Sequence, residues 1–253
     1  MCLLVLAWNV HPRYRVLLAA NRDEFHERPA AAIHWWQEPR ILAGRDLQAG
    51  GAWLGVDEQG RFGVVTNYRD LQPPKPGAPS RGLLIPRFLG GDEGATVHAA
   101  GIALEAEQYS GFNLLVGDRA SLAYVTNRAA ERVRELAPGV FGLSNHLLDT
   151  PWPKLVRTRR RFERLLGAER ISTDDLLAML TNRETSPDFD LPDAELPPDL
   201  ERALSAPFIV HERYGTRSST ILGIGHDGGV ALTEQRYDAG GHIIGRATFE
   251  FQA

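Results

Sequence analysis

Two apolar runs at the head of the chain, Leu3–Trp8 and Tyr14–Ala20, are separated only by the short loop Asn9-Val10-His11-Pro12-Arg13. Runs of this length, so closely spaced, read as antiparallel strands joined in a β-hairpin. With the turn centred near His11, pairing sets Cys2 opposite Ala20, and Asn21, Arg22 and Asp23 leave the second strand beside the sulfur. Cys2 is the only cysteine among 253 residues, and removal of Met1 would make it the N-terminus. A thiol, an α-amine, a guanidinium and a carboxylate then meet at one end of a sheet.

That meeting has chemical use because an α-amine has a pKa of about 8, so a fraction is free base at neutral pH. A nucleophile on the first residue can hand its proton to its own backbone amine. A nearby arginine favours the thiolate, lowering a cysteine from its ordinary value of about 8.5. A lone cysteine at a strand start also serves as a small buried hydrophobe. Position alone does not decide between the two.

Beyond the hairpin the chain is strand-rich at both ends and helical in between. Phe25 to Arg40 carries Pro29, Trp35, Trp36 and Pro39 with weak periodicity and reads as irregular. Ile41–Asp46 is a short run able to pair only briefly. Ala52–Asp57 and Arg61–Asn67, joined across Glu58-Gln59-Gly60, form a second hairpin that ends in a polar residue, Asn67. A proline-rich loop follows over Leu71–Pro79. Gly82–Leu89 is a short helix interrupted by Pro86, and Glu93–Gln108 is a stretch of good helix formers.

Phe112–Val116, Ser121–Thr126 and Val140–Asn145 read as strands. Trp152–Leu166 is a helix with prolines near its start, and its arginine-rich surface is best taken as a solvated face. Ser172 or Thr173 caps a further helix through Met179. Residues 185 to 205 form a proline-rich, acidic loop or lid instead of a domain linker. Phe208–Arg213, Ser218–Ile224, Val230–Tyr237 and Ile243–Phe251 make a terminal meander. Strands, then helices, then strands predict one α+β layered domain over residues 1–253.

Several functions are excluded or disfavoured. A net charge of −4 offers no general field for nucleic acid or an anionic membrane. No apolar run approaches the roughly 20 residues of a bilayer span, and Leu3–Trp8 reads as a strand rather than a signal peptide. A single cysteine excludes an internal disulfide and fits a reducing, cytoplasmic compartment. Phosphate-loop, zinc-protease and serine-hydrolase signatures are absent. The eight histidines are scattered, so no metal site is expected.

Seven segments then carry a family resemblance. They are Met1-Cys2, Asn21-Arg22-Asp23-Glu24, Gly51-Ala52-Trp53-Leu54-Gly55, Thr66-Asn67-Tyr68, Gly111-Phe112-Asn113-Leu114, Gly142-Leu143-Ser144-Asn145 with Thr150-Pro151-Trp152, and Tyr214-Gly215-Thr216-Arg217-Ser218-Ser219-Thr220. Together they resemble the NRDE family, whose animal members are called transport and Golgi organisation protein 2. The resemblance implies the four-layer αββα sandwich of N-terminal-nucleophile hydrolases, most similar to bile salt hydrolases and penicillin V acylases.

By position it implies Cys2 as nucleophile, with Arg22 and Asp23 beside it. Asn67 and Asn145 would position substrate and oxyanion, and Arg217 would be a late arginine near the nucleophile. The spacing within Asn21-Arg22-Asp23 departs from the acylases, where the acid follows the arginine by several residues. Two functions follow from the resemblance. One is an amidohydrolase that needs no cofactor and acts on a small or lipid-like substrate. The other is a carrier of haem or another hydrophobic ligand. A scaffold that has lost its chemistry is a third, because fold does not imply function.

Overall fold

The expected hairpin forms, within the larger of two sheet-and-helix units. A computed structural model describes residues 2–69, 75–187 and 197–253; Met1, parts of both proline-rich loops and their prolines 73, 74 and 192 lie outside the described residues. The chain is α+β with two sheets. Its strands are β1 (Cys2–Trp8), β2 (Tyr14–Phe25), β3 (Ala30–Trp35), β4 (Ile41–Asp46), β5 (Leu54–Asp57), β6 (Phe62–Asn67), β7 (Phe112–Gly117), β8 (Leu122–Thr126), β9 (Val133–Glu135), β10 (Gly139–Leu143), β11 (Tyr214–Gly225), β12 (Gly229–Tyr237) and β13 (Ile243–Gln252). The α-helices are α1 (Leu84–Leu89), α2 (Ala95–Glu105), α3 (Pro153–Leu166), α4 (Thr173–Leu180) and α5 (Pro198–Leu204).

One unit comprises residues 1–27, 139–144 and 148–250, and the other residues 28–138, 145–147 and 251–253. The first is built on a six-stranded sheet in the order β10-β1-β2-β11-β12-β13. Alternate residues of β1 and β2 (Leu3, Val5, Ala7, Leu17, Ala19) pack with Ile221 against Leu155 and Phe162 of α3 and Leu176, Leu177 and Leu180 of α4. The intervening residues Leu4, Leu6, Trp8 and Leu18 are buried as well. Burial of both faces explains why these strands read as continuous apolar runs instead of alternating ones. Pro153 occupies the first turn of α3, where its missing N–H costs nothing. Ser172 caps α4 through its side chain, accepting from Asp175 N, as its position suggests.

The second unit is a seven-stranded antiparallel meander, β3 through β9 in chain order. Helices α1 and α2 bury Ile85, Phe88, Ala99 and Ile102 against Val65, Leu114, Val116 and Val125. Two paired strand glycines, Gly55 and Gly63, let α1 approach. A Cβ on Gly63 would stand 2.9 Å from Ile85 Cδ1.

Several expectations are corrected. The segment read as irregular contains β3, which pairs with β4 across a bulge between Ala31 and His34; the bulge breaks the alternation that marks a strand in sequence. β9 is too short to carry a pattern. Helix α5 lies within the stretch read as a loop. Phe208–Arg213 is not a strand, because its backbone folds straight back onto the start of β11: Ile209 N donates to Thr216 Oγ1 and Thr216 N to Ile209 O, both at 2.9 Å. The other three strands of the terminal meander form.

Candidate active site

The register of the first hairpin decides which side chains face the sulfur. Cys2 pairs with Arg22, and Leu4 with Ala20, so the expected pairing of Cys2 with Ala20 is corrected by two residues. The loop is the cause. Asn9 adopts a left-handed conformation (φ 51°), Asn9 N donates to Arg15 O, and His11 Nδ1 accepts from Arg13 N and Tyr14 N. The turn therefore centres near Pro12 instead of His11. A second correction follows. β2 does not end at Ala20 but runs through Phe25, because β11 pairs with it that far.

Residues 21 to 24 are thus held inside a strand and alternate across it. Arg22 lies directly opposite Cys2 on one side and Ser218 on the other, so these three share a face. Asn21 and Asp23 face the helices. Asn21 Nδ2 donates to Leu180 O at 2.9 Å and Pro207 O at 2.8 Å, and Ser219 Oγ donates to Asn21 Oδ1 at 2.6 Å. Tyr237 OH extends the chain by donating to Ser219 Oγ. Asp23 Oδ1 accepts from Thr216 Oγ1 at 2.6 Å, and Tyr214 OH donates to Asp23 O at 2.7 Å.

Arg217 occupies a bulge, since the register skips from Thr216 to Ser218. Its Nη1 donates to Phe25 O and His26 O at 3.0 and 2.9 Å. Arg217 therefore fastens the end of the strand that carries Arg22. Burial and then the charge of Arg22 push its pKa below the ordinary guanidinium value. On the other side of Cys2, Ser144 Oγ donates to Cys2 O at 3.2 Å.

Burial pushes the Cys2 thiol up, and the charge of Asp23 adds to that; the backbone N–H of Asp23 bonds to the sulfur and, with Arg22, pulls the other way. Burial also raises Asp23, against the charge of Lys154 and the bond from Thr216. Two neighbours of opposite charge thus act on the sulfur, and burial outweighs the groups that lower it.

Asn67 and Asn145 come together in the second unit. Asn145 Nδ2 donates to Asn67 O at 2.8 Å, and Arg69 N donates to Asn145 O at 2.7 Å. The six expected site residues therefore fall into two groups: Cys2, Arg22, Asp23 and Arg217 on the six-stranded sheet, Asn67 and Asn145 on the other unit.

Two asparagines escaped the sequence reading. Asn21 was seen only as a neighbour of the arginine. Asn113, fully buried in β7, donates to His146 O at 3.0 Å and accepts from Tyr124 OH at 2.6 Å; the signal was an asparagine inside the apolar run Phe112–Val116. A cavity of about 260 Å³ at the start of α3, lined by Asp149, Pro151, Leu155 and Arg159 among others, contains none of the six. Among the described residues no cluster of His, Cys, Asp and Glu could hold a metal, and no helix is long and apolar enough to cross a membrane.

Ser218 and Ser219 make a test of this geometry. Ser219 is bonded to Asn21 and Tyr237, whereas Ser218 Oγ is buried with no hydrogen-bond partner among the described residues. Ser219→Ala is expected to lose about 1–3 kcal/mol, because buried partners are stranded. Ser218→Ala is expected to be neutral or stabilising. Thermal melts of the two variants decide it, and equal losses would contradict the register.

Comparison with known proteins finds similar chains and a similar fold. The family model described as Transport and Golgi organisation 2 matches residues 1–239. The Transport and Golgi organization 2 homolog of Mus musculus is 34% identical over 257 residues, covering 93% of this chain and 92% of that protein. The Homo sapiens homolog is likewise 34% identical with the same coverage, and the Drosophila melanogaster protein is 26% identical over 246 residues, 88% of this chain and 87% of its own. Among solved structures, a Caenorhabditis elegans N-acylethanolamine-hydrolyzing acid amidase ortholog superposes with a TM-score of 0.51 at 11% identity, covering 87% of this chain and 92% of its own. That likeness shows the fold expected from the sequence, the one shared by N-terminal-nucleophile hydrolases.

Proposed function

The chain belongs to the Transport and Golgi organisation 2 family, and from that premise we propose that it is an N-terminal-cysteine amidohydrolase acting on a small or lipid-like amide. The observation that carries the reading is the pairing of Cys2 with Arg22 at the end of the sheet, with the N–H of Asp23 on the sulfur. The amidase fold supports it, and the C. elegans relative in fold is by its name a hydrolase of N-acylethanolamines.

In this mechanism, loss of Met1 exposes the α-amine of Cys2. The amine takes the thiol proton as Sγ attacks the acyl carbonyl, then returns it to the leaving amine. Water, deprotonated by the same amine, cleaves the thioester and frees the acid and the thiol. Arg22 and the Asp23 N–H favour the thiolate, while Arg217 holds the strand end that presents them. No cofactor enters these steps.

The test is turnover of a panel of acyl amides and esters by protein whose intact mass shows loss of Met1. Cys2→Ala should reduce turnover to background while leaving the circular dichroism spectrum unchanged. A second reading, a cytoplasmic carrier of haem or another hydrophobic ligand, is what the family resemblance also implies. Saturable haem binding by optical titration, together with no turnover across the panel, would establish the carrier and overturn the hydrolase.

A further inference from the structure

The six-stranded sheet ends in β13, a ten-residue strand with no neighbour on its outer side in the sheet order. A strand of this length with an unpaired edge is a template for another strand, and proteins blunt such edges with proline, shortness, charges or a covering element. Ile243–Gln252 is long and has no proline, its only charges are Arg246 and Glu250, and among the described residues no strand pairs with its outer side. The opposite edge of the same sheet is only five residues long. β13 also begins with two exposed isoleucines, Ile243 at 63% and Ile244 at 57%.

Its charges identify the occupant. Arg246 and Glu250 lie on the same face of the strand as Thr248, which contacts Thr233 on β12. Arg246 holds only an exposed salt bridge to Asp174, of the kind worth about 0–1 kcal/mol, and Glu250 has no ion-pair partner among the described residues. In an antiparallel pair related by a two-fold axis at Thr248, Arg246 of each copy stands opposite Glu250 of the other, and Ile244 opposite Gln252. Directly opposed side chains of opposite charge attract, and like charges repel. An axis at Arg246 or at Glu250 sets like against like, and an axis at Ala247 or Phe249 leaves both charges unmatched. One register alone satisfies both charges twice.

We propose that β13 is a homodimerisation edge, at which a second copy of this chain adds its own β13 antiparallel about Thr248 and continues the sheet from six strands to twelve. The partner is the same surface turned by the two-fold, so the contact closes on itself and does not propagate. A strand-to-strand contact buries less than the roughly 1,200 Å² of standard interfaces, which makes this a weak dimer.

Sedimentation equilibrium of the full chain from about 5 to about 200 µM reads the association, in the micromolar range expected of so small a contact. The wild type should move from monomer towards dimer across that range. Arg246→Glu and Glu250→Arg should each weaken association at least tenfold, since each places two like-charge pairs across the axis. The double variant Arg246→Glu/Glu250→Arg should restore it, because the pairs are remade with their signs exchanged. Circular dichroism and thermal melts confirm that each variant is folded, which exposed positions allow. A wild type monomeric throughout, or a dimer indifferent to either single reversal or not restored by the double, overturns the proposal.

Discussion

Replacing Asn21 with leucine is expected to destabilise the protein by about 3–5 kcal/mol. The side chain makes three buried hydrogen bonds, to Leu180 O, Pro207 O and Ser219 Oγ. Leu180 is the last residue of α4, and its carbonyl is one of those a helix cannot satisfy within itself. Asn21 thus acts as a side-chain cap, supplied by the central strand to a helix far along the chain. Leucine fills similar space but leaves two carbonyls and a hydroxyl short of a partner, each costing about 1–3 kcal/mol. For a chain of this size the loss corresponds to a fall in melting temperature of roughly 10 °C. Asn21→Asp is expected to be worse, because a carboxylate has no N–H to donate and would face two carbonyl oxygens. A thermal melt within about 2 °C of wild type for Asn21→Leu would show that the cap contributes little.

This dependence shows why part of the site was legible in the sequence and part was not. The hairpin was readable because its apolar runs and turn signals are local. Its register was not, since it depends on Asn9 entering the left-handed region and on His11 accepting two backbone N–H groups, and neither is written in a hydropathy pattern. The extension of β2 through Phe25 comes from pairing with β11, nearly two hundred residues later. The role of Asn21 likewise resides in partners at 180, 207 and 219. Arg217 was placed near the nucleophile on family resemblance; the structure adds its contacts to Phe25 O and His26 O. In the second unit, the glycine-flanked motif at 51–55 becomes intelligible through contacts: Gly55 lies under α1, and a Cβ on Gly44 would collide with the ring of Trp53.

Arg22 and Asp23 are adjacent in sequence but should move the reactivity of Cys2 in opposite directions. Burial raises the thiol first; the charge of Asp23 raises it further, and Arg22 lowers it. Iodoacetamide reacts with the thiolate, so the rate of Cys2 alkylation across pH follows the fraction deprotonated. Arg22→Gln removes a positive charge that stabilises the anion, so the profile should move to higher pH and the rate near neutrality should fall. Asp23→Asn removes a negative charge that opposes the anion while leaving its backbone N–H on the sulfur, so the profile should move to lower pH and the rate near neutrality should rise. Arg22→Lys keeps the charge and should shift the profile less than glutamine does, although a planar contact is lost. The measurement requires folded protein from which Met1 has been removed, with the melting temperature of each variant recorded beside its profile. Shifts in the same direction for Arg22→Gln and Asp23→Asn would mean that both act through the packing around Cys2 and not through their charges. An unchanged profile in Arg22→Gln would remove the guanidinium from the mechanism altogether, despite its position directly across the strand pair from the sulfur.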